Sequence, residues 1–195
     1  MPVSMVARTM TAFYPKLQSA RLGLHPLVAE DEPLYCRIYT DVDMMRHVAE
    51  PLSEESARRS FRSALAAVTA SPPRMLLWKA VLLDDASTVG LIGLVPHAGR
   101  RAADIGAMIE RPWQGRGLAG EALASVRDHA FAEGGFARLE GRQDAGNLRS
   151  IRLMERLGFT RHPLPEGRIA WRLGRRHWQA GMKLPNAFAM AAGPA

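Results

Sequence analysis

Residues 114–123 read Gln-Gly-Arg-Gly-Leu-Ala-Gly-Glu-Ala-Leu, with Gly115, Gly117 and Gly120 placed where an apolar stripe of helical period begins. Glycine in a regular element costs about 0.5–1 kcal/mol relative to alanine. Three of them at one helix entrance therefore call for a reason. The first backbone N–H groups of a helix lack intrahelical acceptors and carry the positive end of the dipole. Glycines there let a ligand approach the backbone closely, so the stretch suits an anion, above all a phosphate. An ordinary glycine-containing loop would read the same way. Two known phosphate patterns are excluded. No Lys follows in the spacing G-x-x-x-x-G-K-[ST], and Gly115, Gly117 and Gly120 do not match G-x-G-x-x-G.

Other residues of chemical interest are few. Asp104 opens an apolar strand pattern, Glu110 follows its end, and His97 lies in the loop before it. Asn147 precedes a helical pattern as an N-cap would, and Ser150 stands three residues on, at the mouth of the same helix. Cys36 is the only cysteine, on a helical stripe that suggests core packing. No His/Cys/Asp cluster has metal-ligand spacing, so no metal is expected.

The elements that must position these residues follow from periodicity and breakers. A strand is expected over 20–27, stopped by Pro26, and a helix over 30–40 with acidic residues at 30–32 near its positive end. A second helix begins after Ser53 and ends before Pro72 and Pro73. Segments 74–83 and 88–95 form a hairpin about Asp84 and Asp85, and 103–109 is the next strand. A helix follows the glycines, with Leu118, Ala122, Leu123, Val126 and Ala130 on one stripe. Then come a strand over 136–143, a helix over 147–157 with Leu148, Ile151, Met154 and Leu157 inward, and a closing strand over 178–184. Hairpins followed by βαβ units imply an α/β (α+β) domain: a mixed, mostly antiparallel sheet with helices on both faces. The expected boundaries are an N-terminal extension 1–19, one domain over 20–184 and a loose tail 185–195.

Composition sets the setting. The chain has 195 residues, 47% hydrophobic and 23% charged, a balance that fits one soluble globular domain. No apolar run has membrane-span length, the N-terminus lacks a secretory block, and one cysteine gives no disulfide. A cytoplasmic protein is expected. The formal charge of +7 is unevenly placed: Lys/Arg and Asp/Glu balance at ten each before residue 100 and stand at sixteen against nine after it. The glycine stretch lies in that positive half, which suits a phosphorylated cofactor or nucleic acid.

Gln114-Gly115-Arg116-Gly117-Leu118-Ala119 resembles the acyl-CoA signature Q/R-x-x-G-x-G/A of the GNAT N-acetyltransferases. Residues 147–159 are similar to that family's N-x-x-S-x-x-x-x-E/K-x-x-G-F segment, and the stretch at 20–27 with Asp41–His47 resembles the opening of the RimJ/RimL-type branch. The resemblance spans about residues 20–184. It implies transfer of an acetyl group from acetyl-CoA to a primary amine, a protein N-terminus or a small molecule, by direct attack in a ternary complex. The backbone of Gln114, Gly115, Arg116, Gly117, Leu118 and Ala119 would hold the pyrophosphate. Ala107, Met108 and Ile109 would offer main-chain groups to the pantetheine arm and thioester, and Asn147 would bond the cofactor or cap its helix. Many members use a tyrosine in the turn after that helix; this chain has none, which shifts protonation of the leaving thiolate toward Ser150 or water. The amine must lose a proton, and Asp104 occupies the position of a strand acid in similar proteins; Glu110 and His97 are the alternatives. Tyr39, Met44 and Met45 would border the acceptor groove or pack in the core. The resemblance leaves two rivals: acylation of an aminoacyl-tRNA or another nucleic-acid-bound amine, and a CoA-binding regulatory module without catalysis. A monomer or homodimer without membrane attachment is expected.

Overall fold

Leu76, Trp78 and Ala80 turn to one side of their strand and Leu77 to the other, and all are buried. A strand buried on both faces needs helices on both sides of its sheet. The computed structural model, which describes residues 14–98 and 101–183, has that architecture. Its strands are Leu17–Gln18 (β1), Leu22–Pro26 (β2), Leu76–Leu82 (β3), Thr88–Pro96 (β4), Ala102–Ile109 (β5), Arg138–Asp144 (β6), Thr160–Leu164 (β7) and Arg168–Gly174 (β8). Its helices are Glu32–Thr40 (α1), Val42–Met45 (α2), Glu54–Val68 (α3), Leu118–Ala132 (α4), Leu148–Arg156 (α5) and Arg175–Lys183 (α6). The sheet order is β1-β2-β3-β4-β5-β6-β8-β7. Every neighbouring pair is antiparallel except β5 with β6.

One core layer joins α4 and α5 to the sheet through Leu118, Ala122, Val126, Ile151 and Met154 against Trp78, Ile92 and Ile105. The other packs α1 and α3 through Leu34, Ile38, Phe61 and Val68 against Leu77 and Leu91. The expected stripe of α4 is the buried one, and Ser53 caps α3 by accepting from the Ser56 N–H at 3.2 Å. Chain ahead of the first expected strand also joins the fold. β1 pairs with β2, and the Tyr14 hydroxyl donates to the Leu77 carbonyl while accepting from the N–H groups of Leu27 and Leu77. Burial pushes that phenol up to about 12.

Three expectations are corrected. Residues 178–183 form part of α6, so the sheet is closed by β8 and β7. The alternation at Trp178, Ala180, Met182 and Leu184 misled because Trp178 is held by partners outside its own segment. It packs on Phe131 with ring centroids 5.3 Å apart and donates to Asp128 at 2.7 Å, and a helix supplies that with no β-branched residue in the segment. Leu148 points outward, 61% exposed, while Ile151, Met154 and Leu157 are buried as expected. Asp31, read as part of a dipole-complementing run, is 4% exposed and paired with Lys79 across the layer. Leu184 and the expected tail 185–195 lie outside the described residues.

Candidate active site

β5 and β6 are in register only at Ala102–Arg138, Ala103–Leu139 and Asp104–Glu140. Both strands then run on, β5 to Ile109 and β6 to Asp144, without pairing, so the sheet opens into a wedge. The seam is the parallel one, where pairing is slightly weaker per residue. β5 keeps its bonds to β4 throughout. The N–H of His97 donates to the Ala102 carbonyl and that of Glu110 to Val89, both at 2.9 Å. Even-numbered residues of β5 therefore turn their main-chain groups to β4, and odd-numbered ones away from it. Ala107 and Ile109 aim theirs into the wedge; Met108 between them serves β4, and its side chain packs on the Leu77–Leu91 layer. Gln114 closes the Ile109 end, donating from Nε2 to the Ile109 carbonyl at 2.9 Å.

The N-terminus of α4 stands beside this opening. Gly117 is its N-cap, left-handed at φ 79°, and no side chain caps the first N–H groups. Gly115 is also left-handed, at φ 78°, with open space where a side chain would be. Gly120 differs from the expected entrance role. It lies inside α4, where a Cβ would stand 3.1 Å from Leu153, so it sets the close approach of α4 to α5. Two arginines flank the entrance. Arg116 lies over the Trp113 ring at 4.9 Å. Arg21 donates to the Arg116 carbonyl at 3.1 Å and pairs with Glu121 at 2.7 Å. Glu121 also accepts from the Ser19 hydroxyl and the Arg21 N–H. Burial raises its carboxyl, but those hydrogen bonds and the guanidinium outweigh this and leave its pKa lowered. Sequence reasoning missed Arg21, because nothing local joins it to a loop 95 residues away.

Asn147 caps α5, its Oδ1 accepting from the Ser150 N–H at 3.1 Å. Ser150 donates its hydroxyl to Oε1 of Gln143 on β6 at 2.5 Å. Gln143 is 8% exposed, and its Nε2 has no partner among the described residues. Its only sequence signal was a polar residue at an inward position after Leu139 and Gly141.

Asp104 faces the opposite side of the sheet. His97 Nε2 lies 3.0 Å from its Oδ2, and a Cβ on Gly106, which shares this face, would meet nothing within 4 Å. The carboxylate is part-exposed, but its Oδ1 is buried without a partner among the described residues. Glu140 joins His97 and Asp104 in a group whose ligand atoms lie within 4.8 Å of one another. Glu140 is paired with Arg138 at 2.6 Å and approached by Arg172 at 4.0 Å. That is an ion network assembled from three strands and the loop after β4, which linear spacing did not reveal. Glu110 pairs with Arg37 at 3.1 Å at the surface. Cys36 is buried in α1, with its thiol pKa pushed up by burial, which disfavours a nucleophilic thiolate.

Two grooves lie along the α1–α3 side. One of about 650 Å³ is lined by Arg37, Ile38, Thr40, Asp41, Met44 and Glu110, among others. A second of about 390 Å³ lies between residues 46–51 and Asp144, Glu166 and Arg168. Met44 lines the first, whereas Met45 is core at 3% exposure and Tyr39 stacks on Tyr35 at 4.3 Å.

Known proteins share this fold. The Mycobacterium smegmatis protein RimJ, solved in complex with CoA-disulfide, superposes with a TM-score of 0.70 at 20% identity over 88% of this chain and 96% of its own. Spermidine N-acetyltransferase from Vibrio cholerae, solved with CoA and spermine, gives 0.70 at 15% identity over 81% of this chain and 98% of its own. These likenesses are of fold. Among curated proteins, the uncharacterized YkkB of Bacillus subtilis is 33% identical over 85 residues, 43% of this chain and about half (49%) of that relative's length. Among the described residues no helix is long and apolar enough to cross a membrane. The model of the Acetyltransferase (GNAT) domain matches residues 21–160, a span that holds the wedge, the glycine entrance and the Asn147–Ser150 helix start, and this chain belongs to that family.

Proposed function

We propose that the protein is an N-acetyltransferase of RimJ/RimL type that moves an acetyl group from acetyl-CoA to a primary amine. The observation that carries this reading is the wedge between β5 and β6, set beside an uncapped helix entrance. The wedge takes the pantetheine arm in extended form, with Ala107 and Ile109 pairing to its amides as β6 would have done. The N–H groups after Gly117 take the pyrophosphate, and Asn147, whose Nδ2 is not used in capping, reaches the arm from the β6 side. The amine enters from the α1–α3 side, where Asp104 removes its proton directly or through water, with His97 behind the carboxylate. The neutral nitrogen attacks the thioester carbon, the tetrahedral oxyanion is held by main-chain N–H groups of the wedge, and the C–S bond breaks. Ser150 or water protonates the departing thiolate. The acceptor is a protein N-terminus or a small amine, and the reaction is cytoplasmic.

The test is acetyl-CoA binding followed by turnover across an amine panel. At a hundred-fold excess over Kd, a ligand specific for the folded state contributes about 2.7 kcal/mol, a clear melting shift. Absence of any shift at millimolar acetyl-CoA ends this reading. Binding without turnover on any amine favours a regulatory CoA-binding module. A nucleic-acid-bound amine is the other acceptor with an observation behind it: Arg142, Arg168 and Arg172 are exposed on the sheet face that carries Asp104. Salt-sensitive tRNA binding by the full chain would favour it.

A further inference from the structure

The wedge has two lips, β5 and β6, and β6 carries a buried polar side chain at the opening. The last paired residues are Asp104 and Glu140. Three residues further along each strand stand Ala107 and Gln143, opposite each other across the opening. Gln143 is among the few buried polar side chains of the fold, at 8% exposure. The Ser150 hydroxyl donates to its Oε1 at 2.5 Å, which leaves Nε2 for another partner. That nitrogen is buried and has no acceptor among the described residues. A buried donor left unmade is costly, and an apolar residue of similar size would avoid the cost at this position. The side chain therefore makes sense when something else supplies the acceptor.

We infer that Gln143 is a ligand-binding residue whose Nε2–H donates to a carbonyl oxygen of acyl-CoA lying in the wedge, with Ser150 holding the amide in the donating orientation. The inference rests on the acyl-CoA reading above and adds to it a contact from the β6 side. The ligand's carbonyl, polarised from one side by the β5 main chain, receives a second donor from the other. Ser150 then has a second task. While its proton is engaged with Oε1 it orients Gln143, and it can serve a thiolate only after releasing that bond.

The test is calorimetric titration of the full chain with CoA and with acetyl-CoA, alongside melting of the unliganded protein. Gln143→Leu keeps the volume and removes the donor. Its unliganded melting temperature should equal or exceed that of the natural protein, while affinity falls about tenfold or more. These opposite directions separate ligand binding from a structural role, which would lower stability and leave the affinity of folded protein alone. Gln143→Met, unbranched and adaptable, serves the same purpose if the leucine variant does not fold. Equal losses for CoA and acetyl-CoA place the contact on a pantetheine amide carbonyl; a loss confined to acetyl-CoA places it on the thioester. Ser150→Ala keeps the donor and frees its orientation, so its loss should be smaller. Undiminished affinity in both Gln143 variants, or a larger loss in Ser150→Ala than in Gln143→Leu, overturns the inference. If the natural protein binds neither ligand, the acyl-CoA reading itself fails and this one with it.

Discussion

Helices α3 and α4 start in opposite ways. At α3, Ser53 accepts from the Ser56 N–H, and Glu54 and Glu55 fill the first turn, so the positive end is satisfied by its own chain. At α4, Gly117 has no side chain to offer, and Glu121, the one acid of the first turn, is engaged with Ser19 and Arg21. Both helices have 15 residues and pack against the same sheet. The difference is therefore not about helix stability. A helix that serves only the fold caps itself, whereas a helix whose N–H groups are left open beside a gap in the sheet is arranged for an anion from outside.

The sharpest way to break the contrast is Gly117→Asp. A carboxylate at the α4 entrance would occupy and repel the phosphate site, and acetyl-CoA binding should be lost in calorimetry on folded protein. Retained affinity would mean that the phosphates sit elsewhere. The next largest effect belongs to the chemistry beside the entrance. Asp104→Asn should lower turnover about 10²–10⁴-fold with little change in KM for acetyl-CoA, and the lower limb of the pH–rate profile should vanish. An unaltered profile would leave His97, Glu110 or water as the base. Ser150→Ala should slow turnover of folded enzyme by roughly tenfold if its hydroxyl protonates the thiolate. Unchanged turnover would leave water to supply the proton.

Smaller effects test the self-capped side. Ser53→Ala should cost about 1 kcal/mol of stability and leave acetyl-CoA affinity untouched, as read by denaturant unfolding and titration. If ligand affinity fell as well, the two entrances would not be independent. The smallest effect concerns Glu121. Its pKa is depressed in the folded state, so its contribution is present above the ordinary glutamate value of about 4.3. That contribution is lost as pH falls through the folded value. Glu121→Gln should melt below the natural protein at neutral pH, with the gap closing in acid. A gap constant with pH would mean that the Ser19–Arg21–Glu121 cluster acts through packing alone.

The entrance of α4 was legible in the chain because its cause is local. Gly115 and Gly117 adopt positive φ, and the apolar stripe that follows has one period over a full helix. Ser53 and Asn147 were legible as caps for the same reason. The strand expected over 178–184 failed because a two-residue period is ambiguous in a short segment, and Trp178 was decided by its partners Phe131 and Asp128 on α4. The short helix α2 went unseen although its cap is local, Asp41 accepting from the N–H groups of Asp43 and Met44, because four residues are too few to show an apolar period. The dual use of the acidic run at residues 30–32 was also hidden, because Lys79 lies on a distant strand.

By itself the sequence determined the glycine-gated helix, the capped helices, the order of most elements and the positive second half, because each rests on neighbours in the chain or on a sum over it. Only the tertiary structure decided where β5 and β6 part, since the end of a ladder depends on what flanks both strands. It also decided that Ala107 and Ile109, rather than Met108, turn their main chain into the gap, a consequence of register with β4. And it alone brought Arg21 to the Arg116 carbonyl, His97 to Asp104 and Gln143 to Ser150. Those are contacts between side or main chains on separate elements, and no local propensity encodes them.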